Sequence, residues 1–365
     1  MRILQVIPHL SKGGAERVVI ELANSLTESG HDVSLLMKFP VDFELNQKYL
    51  DGKVKVRFIS KRQMSPILIY LKLPFWIVWH WNSLRKFDVI HCHLTFGLIF
   101  GYIIFKIRKI TRHKDFQLIA TCHMVGGGVT SAYRYFNRRV SYAFDAFVLM
   151  AQDDYWREFI RKSKRTDIYI VANGISADPA LIHNSEQSVE SAIRIGTISR
   201  LIDERKPWLF LEVFAQVLKL DPKGEYRFIV GGDGPEREKL KHLAHELDLD
   251  ETLVFAGLVI EPAEILSRLD LYVSLNVEDI SGIAGLEAVF AGLPVVALQL
   301  SLDYVKGTSD WIWSDPNPAE VAAKILDLVK NPEKMRELSS TQHLYACREY
   351  STEQMTRGYL KIYSI

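Results

Sequence analysis

The sequence contains few cysteines, and their positions exclude two kinds of site. Cys92, Cys122 and Cys347 are the three cysteines of 365 residues, and they lie far apart. Widely spaced cysteines form neither a disulfide framework nor a zinc site, so we expect a reducing compartment. His91 and His93 flank Cys92 in a predicted strand, where successive side chains point to opposite faces. This alternation argues against a metal ion shared by all three.

The sequence also lacks an apolar run long enough to cross a membrane. Histidines interrupt residues 89–105, and Lys72 and Pro74 interrupt residues 67–81. Both runs fall short of the roughly 20 apolar residues that a spanning helix needs. Residues 3–7 form a strand-length apolar run without a small-residue cleavage site, so we expect no signal peptide.

Acidic residues are almost missing from residues 55–114, where Asp88 stands against twelve lysines and arginines. Residues 1–187 hold 26 Lys and Arg against 16 Asp and Glu, whereas the remainder holds 19 against 28, although the whole chain has a net charge of only +1. Tryptophans and other aromatics interleave with the basic residues. For residues 61–86 we expect contact with an anionic membrane surface, and for residues 96–105 we expect core. No nucleic-acid partner is expected.

Strand-like and helix-like segments alternate along the chain. Residues 3–7 are a mostly apolar run, a glycine-containing loop follows, and helical spacing then leads to another strand. This order predicts parallel, doubly wound sheets, and therefore an α/β fold. The length favours two domains, and the polar residues 176–191 are the expected linker.

Residues 270–297 hold the pattern around which the second half is arranged. They predict a buried strand, a polar turn with Glu278 and Asp279, a helix that carries Glu287, and a second strand. Ligands bind outside the carboxyl ends of strands in such sheets. Carboxylates at this place can accept hydrogen bonds from sugar hydroxyls. The alternative is an ordinary solvated turn with a helix N-cap.

The start of this helix is a predicted anion site. The free N–H groups of Gly282, Ile283 and Ala284 would lie where the helix dipole favours negative charge. Arg200, with Lys206 or Arg205, follows a strand that begins at residue 193 and would add two cations. Cations beside a helix N-terminus form a cradle for a diphosphate.

Two features of the first half also point to ligand binding. Gly13 and Gly14 precede a predicted helix, which suits a phosphate, although a tight turn is the more common explanation for such a pair taken alone. His123 follows the predicted strand at residues 117–122 and precedes a run of three glycines. The carboxyl end of a parallel strand is where the active cleft is expected, although a lone histidine is more often structural.

A set of short segments resembles the retaining glycosyltransferases of family 4. This resemblance implies the GT-B fold of two facing Rossmann-like domains, residues 1–187 and 188–345, with residues 346–365 as a C-terminal helix that crosses back to the first. The segments span nearly the whole chain in the family's order: PHLSKGGAE, DVIHCH, TCH, VANGI, GTISRLIDERKP, FIVGGDGPE, LVFAGLV and EDISGIAGLEAVFAGLPVVA.

The resemblance also implies roles for the candidate residues. A nucleotide sugar would bind mainly to the second domain, and the protein would transfer its sugar to an acceptor hydroxyl with the anomeric configuration kept. In this scheme Gly13 and Gly14 meet the phosphates, Arg200 and Lys206 neutralise them, Glu287 holds the ribose hydroxyls, the backbone as far as Val259 borders the base, and His123 lies near the donor sugar.

Two departures from the family pattern leave alternatives open. Asp279 stands where the family has a glutamate, so either Asp279 or the preceding Glu278 contacts the donor sugar. Arg205 stands where the family has a lysine, and Lys206 follows it, so either can face the diphosphate.

The expected acceptor is a glycan or a lipid-linked molecule, as in the synthesis of bacterial surface polysaccharide or lipopolysaccharide. Asp248 and Asp250 resemble a metal-binding DxD pattern, but they lie away from the glycine loops, so we expect them to be solvated. We therefore expect no metal or other cofactor. We expect a cytoplasmic protein, peripheral on the inner face of the membrane. The alternatives are a transferase for soluble acceptors, a less favoured GT-B epimerase, and a non-catalytic sugar-nucleotide-binding subunit.

Overall fold

The chain folds into two α/β units in a computed structural model. The model describes residues 1–10, 13–40, 47–112, 115–123, 131–150, 154–163, 165, 167–176, 192–275, 283–298, 312–313 and 317–365. The first unit comprises Met1–Gly174 with Thr352–Ile365, and the second comprises Ile175–Ser351. Residue 187, the expected end of the first domain, lies outside the described residues.

The first unit is built on a seven-stranded sheet. All of its described strand pairs are parallel, in the order β3-β2-β1-β4-β5-β6-β7. The order reverses between β1 and β4, which makes that place the switch point where doubly wound sheets bind ligands. The strands are β1 (Arg2–Val6), β2 (Asp32–Met37), β3 (Lys55–Phe58), β4 (Val89–His93), β5 (Gln117–Cys122), β6 (Ala146–Leu149) and β7 (Ile168–Ile170).

Helices flank this sheet because each has an apolar side that must be buried. Phe96 and Phe100 are buried on the long fourth helix and belong to the core, so the prediction of core for this stretch is confirmed. The helices of the first unit are α1 (Gly14–Glu28), α2 (Pro66–Trp79), α3 (Trp81–Leu84), α4 (Leu94–Thr111), α5 (Ser131–Val140), α6 (Asp154–Ser163) and α13 (Thr352–Tyr363).

The last of these helices comes from the end of the chain. In α13, Tyr359 and Tyr363 are almost fully buried, and the Thr352 hydroxyl lies 3.2 Å from Glu21 Oε2 on α1. On its other side Gly358 packs against Val171, close enough that a Cβ there would lie 3.1 Å from Val171 Cγ1. The C-terminal helix is therefore part of the first unit.

The second unit has a six-stranded parallel sheet in the order β10-β9-β8-β11-β12-β13. This order has the same reversal, here between β8 and β11, as a dinucleotide-binding sheet. Its elements are β8 (Ile193–Ile198), α7 (Trp208–Leu220), β9 (Tyr226–Gly231), α8 (Arg237–Glu246), β10 (Leu253–Gly257), α9 (Pro262–Leu266), β11 (Leu271–Ser274), α10 (Ile283–Phe290), β12 (Val295–Leu298), β13 (Ile312–Trp313), α11 (Pro318–Val329) and α12 (Pro332–Glu349).

The helix α12 anchors the region around α10. The fully buried side chain of Gln342 accepts from the Val295 N–H and donates to the Val295 carbonyl, both at 2.8 Å. Ser339 Oγ donates to the Gly292 carbonyl at 2.6 Å. The turn between α10 and β12 is therefore held by side chains of α12, which satisfy backbone groups that would otherwise be buried without partners.

Candidate active site

Three loops at the carboxyl ends of β8, β9 and β10 are bound to one another. The Ser199 N–H donates to the Gly231 carbonyl at 2.9 Å, and the Gly232 N–H donates to the Gly257 carbonyl at 2.7 Å. The Leu201 N–H donates to the Asp233 carbonyl at 3.0 Å. Because neighbouring loops share these bonds, none can shift without the next.

Two glycines make this close approach possible. A Cβ on Gly232, whose φ is +129°, would lie 1.8 Å from the Ser199 carbonyl oxygen, and a Cβ on Gly234 would lie 2.2 Å from that of Leu201. No side chain fits at such distances, so the sequence GGDG is needed for the loop after β9 to pack against the loop after β8.

Arg200 lies between the two braced residues of the β8 loop, and its side chain is exposed. Arg205 ends a short 3₁₀ helix, Asp203–Arg205, and is half-buried, whereas Lys206 is exposed and adopts the left-handed conformation with φ 47°. A lysine rarely adopts this conformation, and here it turns the chain directly into α7. The predicted cations therefore lie together on one loop, and their assignment to a diphosphate stays a prediction.

Glu287 lies in the middle of α10, where 9% of its surface is exposed. Ile283 and Ala284 are the first two residues of this helix, so their N–H groups have no carbonyl of the helix to bond. The strand β11, which leads to α10, pairs with β8 through Leu271 and Tyr272. Because these strands are adjacent and parallel, the β8 loop and the region before α10 leave the sheet at the same edge. Glu278, Asp279 and Gly282 lie outside the described residues.

Tyr272 fixes the end of β8. This tyrosine is fully buried, and its hydroxyl accepts from the Ile198 N–H at 3.2 Å and donates to the Ile198 carbonyl at 3.1 Å. Val259, the residue predicted to border a base, packs against the end of β9, where a Cβ on Gly231 would lie 2.8 Å from its Cγ2. Tyr272 thus holds the residue from which the β8 loop leaves the sheet.

His123 follows β5 in the first unit and joins a network of buried polar side chains. Its Nε2 lies 2.9 Å from His93 Nδ1, and His93 Nε2 lies 2.5 Å from Gln5 Oε1. The Tyr363 hydroxyl lies 3.3 Å from Gln5 Nε2 and 2.7 Å from His91 Nδ1. His91 Nε2 lies 2.7 Å from Thr121 Oγ1, and that oxygen lies 3.0 Å from the Tyr359 hydroxyl. We call these seven residues the histidine network.

Sequence reasoning found His123 but gave no role to the other members of the network. Two signals were present in the sequence. His91 and His93 are two residues apart in a strand and therefore share a face, and their ring centroids are 4.0 Å apart. Gln5 is a polar residue within the apolar strand β1, where it is fully buried.

Burial keeps the imidazoles neutral. It lowers the pKa of His123 to about 4, and it lowers the pKa values of His91 and His93 well below their usual range, with a smaller contribution from the neighbouring histidines. These side chains therefore exchange hydrogen bonds as neutral rings, each with one donor and one acceptor nitrogen.

The backbone holds His93 in place without a connecting loop. The strand β4 ends at His93 and the helix α4 begins at Leu94, which has a φ of 58°. This conformation is uncommon for leucine and marks a strained turn. Gly97 allows α4 to start there, because a Cβ at this position would lie 2.8 Å from the Val6 carbonyl.

Gly13 is the N-cap of α1 and Gly14 is its first residue, so the pair lies at a helix start as predicted, but a carboxylate lies against Gly13. A Cβ on Gly13 would lie 2.1 Å from Glu16 Oε2, and Glu16 is buried, with an oxygen 3.6 Å from His9 Nδ1. Glutamate at this position of a helix commonly reaches back to the N-terminus. A phosphate bound at this helix start would therefore need the carboxylate to turn away.

The DxD pattern is a surface feature. Asp248 and Asp250 are exposed, and Asp250 Oδ2 lies 2.5 Å from His245 Nδ1. In the part of the chain that the structure describes, no three His, Cys, Asp or Glu side chains are grouped as metal ligands would be.

Two family models match the two halves of the chain. The model described as Glycosyltransferase Family 4 matches residues 12–179, and that described as Glycosyl transferases group 1 matches residues 192–331. The chain is therefore built from a family 4 glycosyltransferase domain and a group 1 glycosyl transferase domain. It is an enzyme that transfers a sugar, and its relatives include bacterial glycosyltransferases.

Two relatives of this glycosyltransferase have names that state the sugar they transfer. The chain is 24% identical to a Campylobacter jejuni protein named GalNAc-alpha-(1->4)-GalNAc-alpha-(1->3)-diNAcBac-PP-undecaprenol alpha-1,4-N-acetyl-D-galactosaminyltransferase, over 99% of this chain and 98% of that protein. It is also 24% identical to poly(ribitol-phosphate) alpha-N-acetylglucosaminyltransferase of Staphylococcus aureus, over 54% of this chain but only 40% of that protein.

Solved structures confirm the predicted GT-B fold of this glycosyltransferase. Anabaena HepE in complex with UDP and glucose has a TM-score of 0.78 at 16% identity, covering 100% of this chain and 99% of that one. The S. aureus TarM mutant in complex with Fondaparinux, alpha-GlcNAc-glycerol and UDP has a TM-score of 0.77 at 14% identity, with 100% coverage of both chains.

Proposed function

We propose that this glycosyltransferase moves a sugar from a nucleotide-diphosphate donor to a hydroxyl of a glycan or lipid-linked acceptor, with the anomeric configuration kept, in the synthesis of a bacterial surface polysaccharide. The second unit binds the donor through Arg200, with Arg205 or Lys206, and through Glu287. His123 of the first unit contacts the donor sugar. No metal or other cofactor takes part in this proposal.

One observation carries the donor assignment. The β8 loop, which bears the cations, is braced by the loop after β9 and by Tyr272, and it leaves the sheet beside β11 at the switch point. Rigid cations and free helix N–H groups at one edge can stabilise a departing diphosphate without reorganising as its charge develops. Glu287, on the helix that follows β11, can accept hydrogen bonds from hydroxyls.

The relatives support the choice of donor to test. Two structural neighbours were solved with UDP, and two relatives are named for the transfer of N-acetylhexosamines. UDP-glucose, UDP-GlcNAc and UDP-GalNAc are therefore the first panel for thermal stabilisation. A ligand at 100 times its dissociation constant stabilises the folded protein by roughly 2.7 kcal/mol.

Substitutions in the β8 loop and α10 test the site. We expect Arg200→Ala and Glu287→Gln each to lower kcat/KM for donor hydrolysis or transfer by about 100-fold, the loss typical of one charge-stabilising group. Asp248→Asn is the matched control, because it changes an exposed acid of the same unit, and it should leave the rate unchanged. Comparing Arg205→Ala with Lys206→Ala identifies the second cation.

The outcomes separate the competing functions. Equal rates in wild type, Arg200→Ala and Glu287→Gln would remove the site assignment. Stabilisation by a UDP-sugar without hydrolysis or transfer to any acceptor would favour a non-catalytic subunit instead. Efficient transfer to simple alcohols, and none to lipid-linked glycans, would favour the soluble-acceptor alternative.

The exposed apolar side chains of helix α2 support a lipid-linked acceptor. It is apolar on all sides: Ile69, Leu73 and Ile77 are buried in the core, while another set of large apolar side chains is exposed. A helix that is apolar all round is normally covered on every side, and an apolar patch on a surface marks an interaction site. The exposed side chains are Ile67 (73%), Leu68 (53%), Leu71 (63%), Phe75 (78%), Val78 (64%) and Trp79 (86%).

Exposed basic side chains lie on α2 and close to its ends in sequence. Lys72 on the helix itself is exposed, as are four further cations close to its two ends in sequence, Lys61, Arg62, Arg85 and Lys86. Phe and Trp flanked by cations are typical of helices that lie in the interface of an anionic bilayer. In the described part of the chain, no helix has the length and apolar character needed to cross one. We therefore place the protein peripherally on the inner face of the membrane, with α2 against the lipid.

Vesicle sedimentation tests the membrane surface. Wild type should bind vesicles with phosphatidylglycerol at low salt and bind neutral phosphatidylcholine vesicles weakly, because surface electrostatics is screened by salt. Phe75→Ser with Trp79→Ser should abolish binding. Leu344→Ser, a change at a residue of the second unit that is 70% exposed, is the control and should bind as wild type does. Equal binding by both variants would contradict the role of α2.

A further inference from the structure

The histidine network orders the protons on His123. Gln5 Nε2 donates to the Tyr363 hydroxyl at 3.3 Å, which leaves Gln5 Oε1 directed at His93 Nε2, 2.5 Å away. An amide oxygen accepts and cannot donate. His93 Nε2 therefore carries the proton of this neutral ring, and His93 Nδ1 has a free lone pair.

The same reasoning applies to the ring of His123. His93 Nδ1 accepts, so the atom that faces it at 2.9 Å, His123 Nε2, must donate. His123 is neutral as well, and a neutral imidazole has one N–H. Its Nδ1 is therefore the unprotonated nitrogen and can only accept a hydrogen bond.

The remaining contacts agree with this direction. The Tyr363 hydroxyl, which accepts from Gln5, donates to His91 Nδ1, and His91 Nε2–H then donates to Thr121 Oγ1. In this series of hydrogen bonds, each buried group has a partner that matches its role as donor or acceptor, as buried polar groups require.

His123 Nδ1 stands apart from the other ring nitrogens of the network. It is shielded from solvent and has no hydrogen-bond partner among the residues that the structure describes. A buried acceptor without a partner destabilises the folded protein. Such an atom gains most from a ligand that brings a donor group, and a sugar hydroxyl is a donor of the right kind.

We propose that Gln5 and His93 are positioning residues that hold His123 as the Nε2–H tautomer, so that its Nδ1 accepts a hydrogen bond from a hydroxyl of the sugar substrate. This inference rests on the proposed function for the identity of the ligand, whereas the tautomer is a property of the free protein. Gln5 and His93 act through His123 and do not touch the substrate.

The tautomer can be measured without activity. Long-range ¹H–¹⁵N correlation spectra of protein labelled at histidine report which ring nitrogen is protonated, and His123→Asn assigns the signal of His123. Wild type should show the Nε2–H form. Gln5→Met removes the acceptor for His93 with little change in size, and it should convert His123 partly or wholly to the Nδ1–H form.

Kinetics then test the consequence. Gln5→Met should raise the donor KM by about tenfold, which corresponds to the loss of one hydrogen bond of about 1.4 kcal/mol. Gln5→Glu keeps an acceptor at the same place and should restore both the tautomer and most of the affinity. Asn24→Leu is the matched control, because it removes part-buried side-chain hydrogen bonds of the first unit outside the histidine network and should leave the His123 tautomer and the donor KM unchanged.

The results of these experiments can overturn the proposed positioning of His123. An Nδ1–H form of His123 in wild type, or the same tautomer in wild type and Gln5→Met, would overturn the proposal. Equal increases of KM in Gln5→Met and Asn24→Leu would show a purely structural role and overturn it as well. If the tautomers behave as expected but no UDP-sugar is bound or turned over by wild type, the proposed function fails and the positioning of His123 stands.

Discussion

At Gly234 a single added methyl group should damage the donor site severely. In Gly234→Ala, the new Cβ would lie 2.2 Å from the Leu201 carbonyl oxygen and 2.7 Å from its carbon. Ordinary van der Waals contact begins near 3.4 Å, so one loop must retreat by about 1 Å. A retreat of the loop after β8 displaces Arg200, which is next to Leu201 in the chain. A displacement of 1 Å in a positioning element lowers a catalysed rate by roughly 100-fold.

The assay for this prediction is kcat/KM for the best UDP-sugar, measured beside the thermal stabilisation that UDP alone provides. We expect Gly234→Ala to remain folded, because an overpacked methyl destabilises a protein by about 1 to 3 kcal/mol, but to lose most of its activity. Gly52→Ala is the control, since nothing lies within 4 Å of a Cβ at that position. A Gly234→Ala enzyme within twofold of wild type would show that the braced loops do not set the position of the cations.

Three further predictions concern stability. Because burial lowers the pKa of His123 from 6.5 to about 4, the unfolded chain binds a proton between these values that the folded chain does not. The free energy of unfolding should therefore fall by up to roughly 1.4 kcal/mol per pH unit below pH 6.5 and level off near pH 4; His123→Asn should lose this part of the slope in urea denaturation. Gln342→Met leaves both backbone groups of Val295 unbonded and should lower the free energy of unfolding by about 2 to 4 kcal/mol. Asp270→Asn weakens a two-pronged ion pair with Arg194 and should lower it by about 2 kcal/mol, whereas a change below 0.5 kcal/mol in urea midpoint analysis would contradict this account.

Much of the fold could be predicted because buried parallel strands are continuous apolar runs with clear ends. The strand Gln117–Cys122 has the bounds that the sequence indicated. The helix that carries Glu287 begins at Ile283, so the N–H groups of Ile283 and Ala284 lie at its start, as predicted.

The candidate site could be predicted only in part. Glycine motifs and charged residues mark which loops bear ligand contacts, and the β8 loop carries its cations as expected. Contacts between distant side chains are set by packing and leave little trace in the sequence. The carboxylate of Glu16 beside Gly13 is one example, and the bond between His93 and Gln5, which lie 88 residues apart, is another.

The place of α13 in the first unit has a consequence for biosynthesis. Gln5 and His91 are translated early, but Tyr363, the residue that bonds both, follows Gln5 by 358 positions and His91 by 272. Domains generally fold as units during synthesis, the N-terminal one first. Here the N-terminal sheet emerges with buried polar atoms that have no partner until the whole of the second unit has been made. The first unit to leave the ribosome is therefore the last to be completed. The second unit can reach its native state before α13 has packed onto the first.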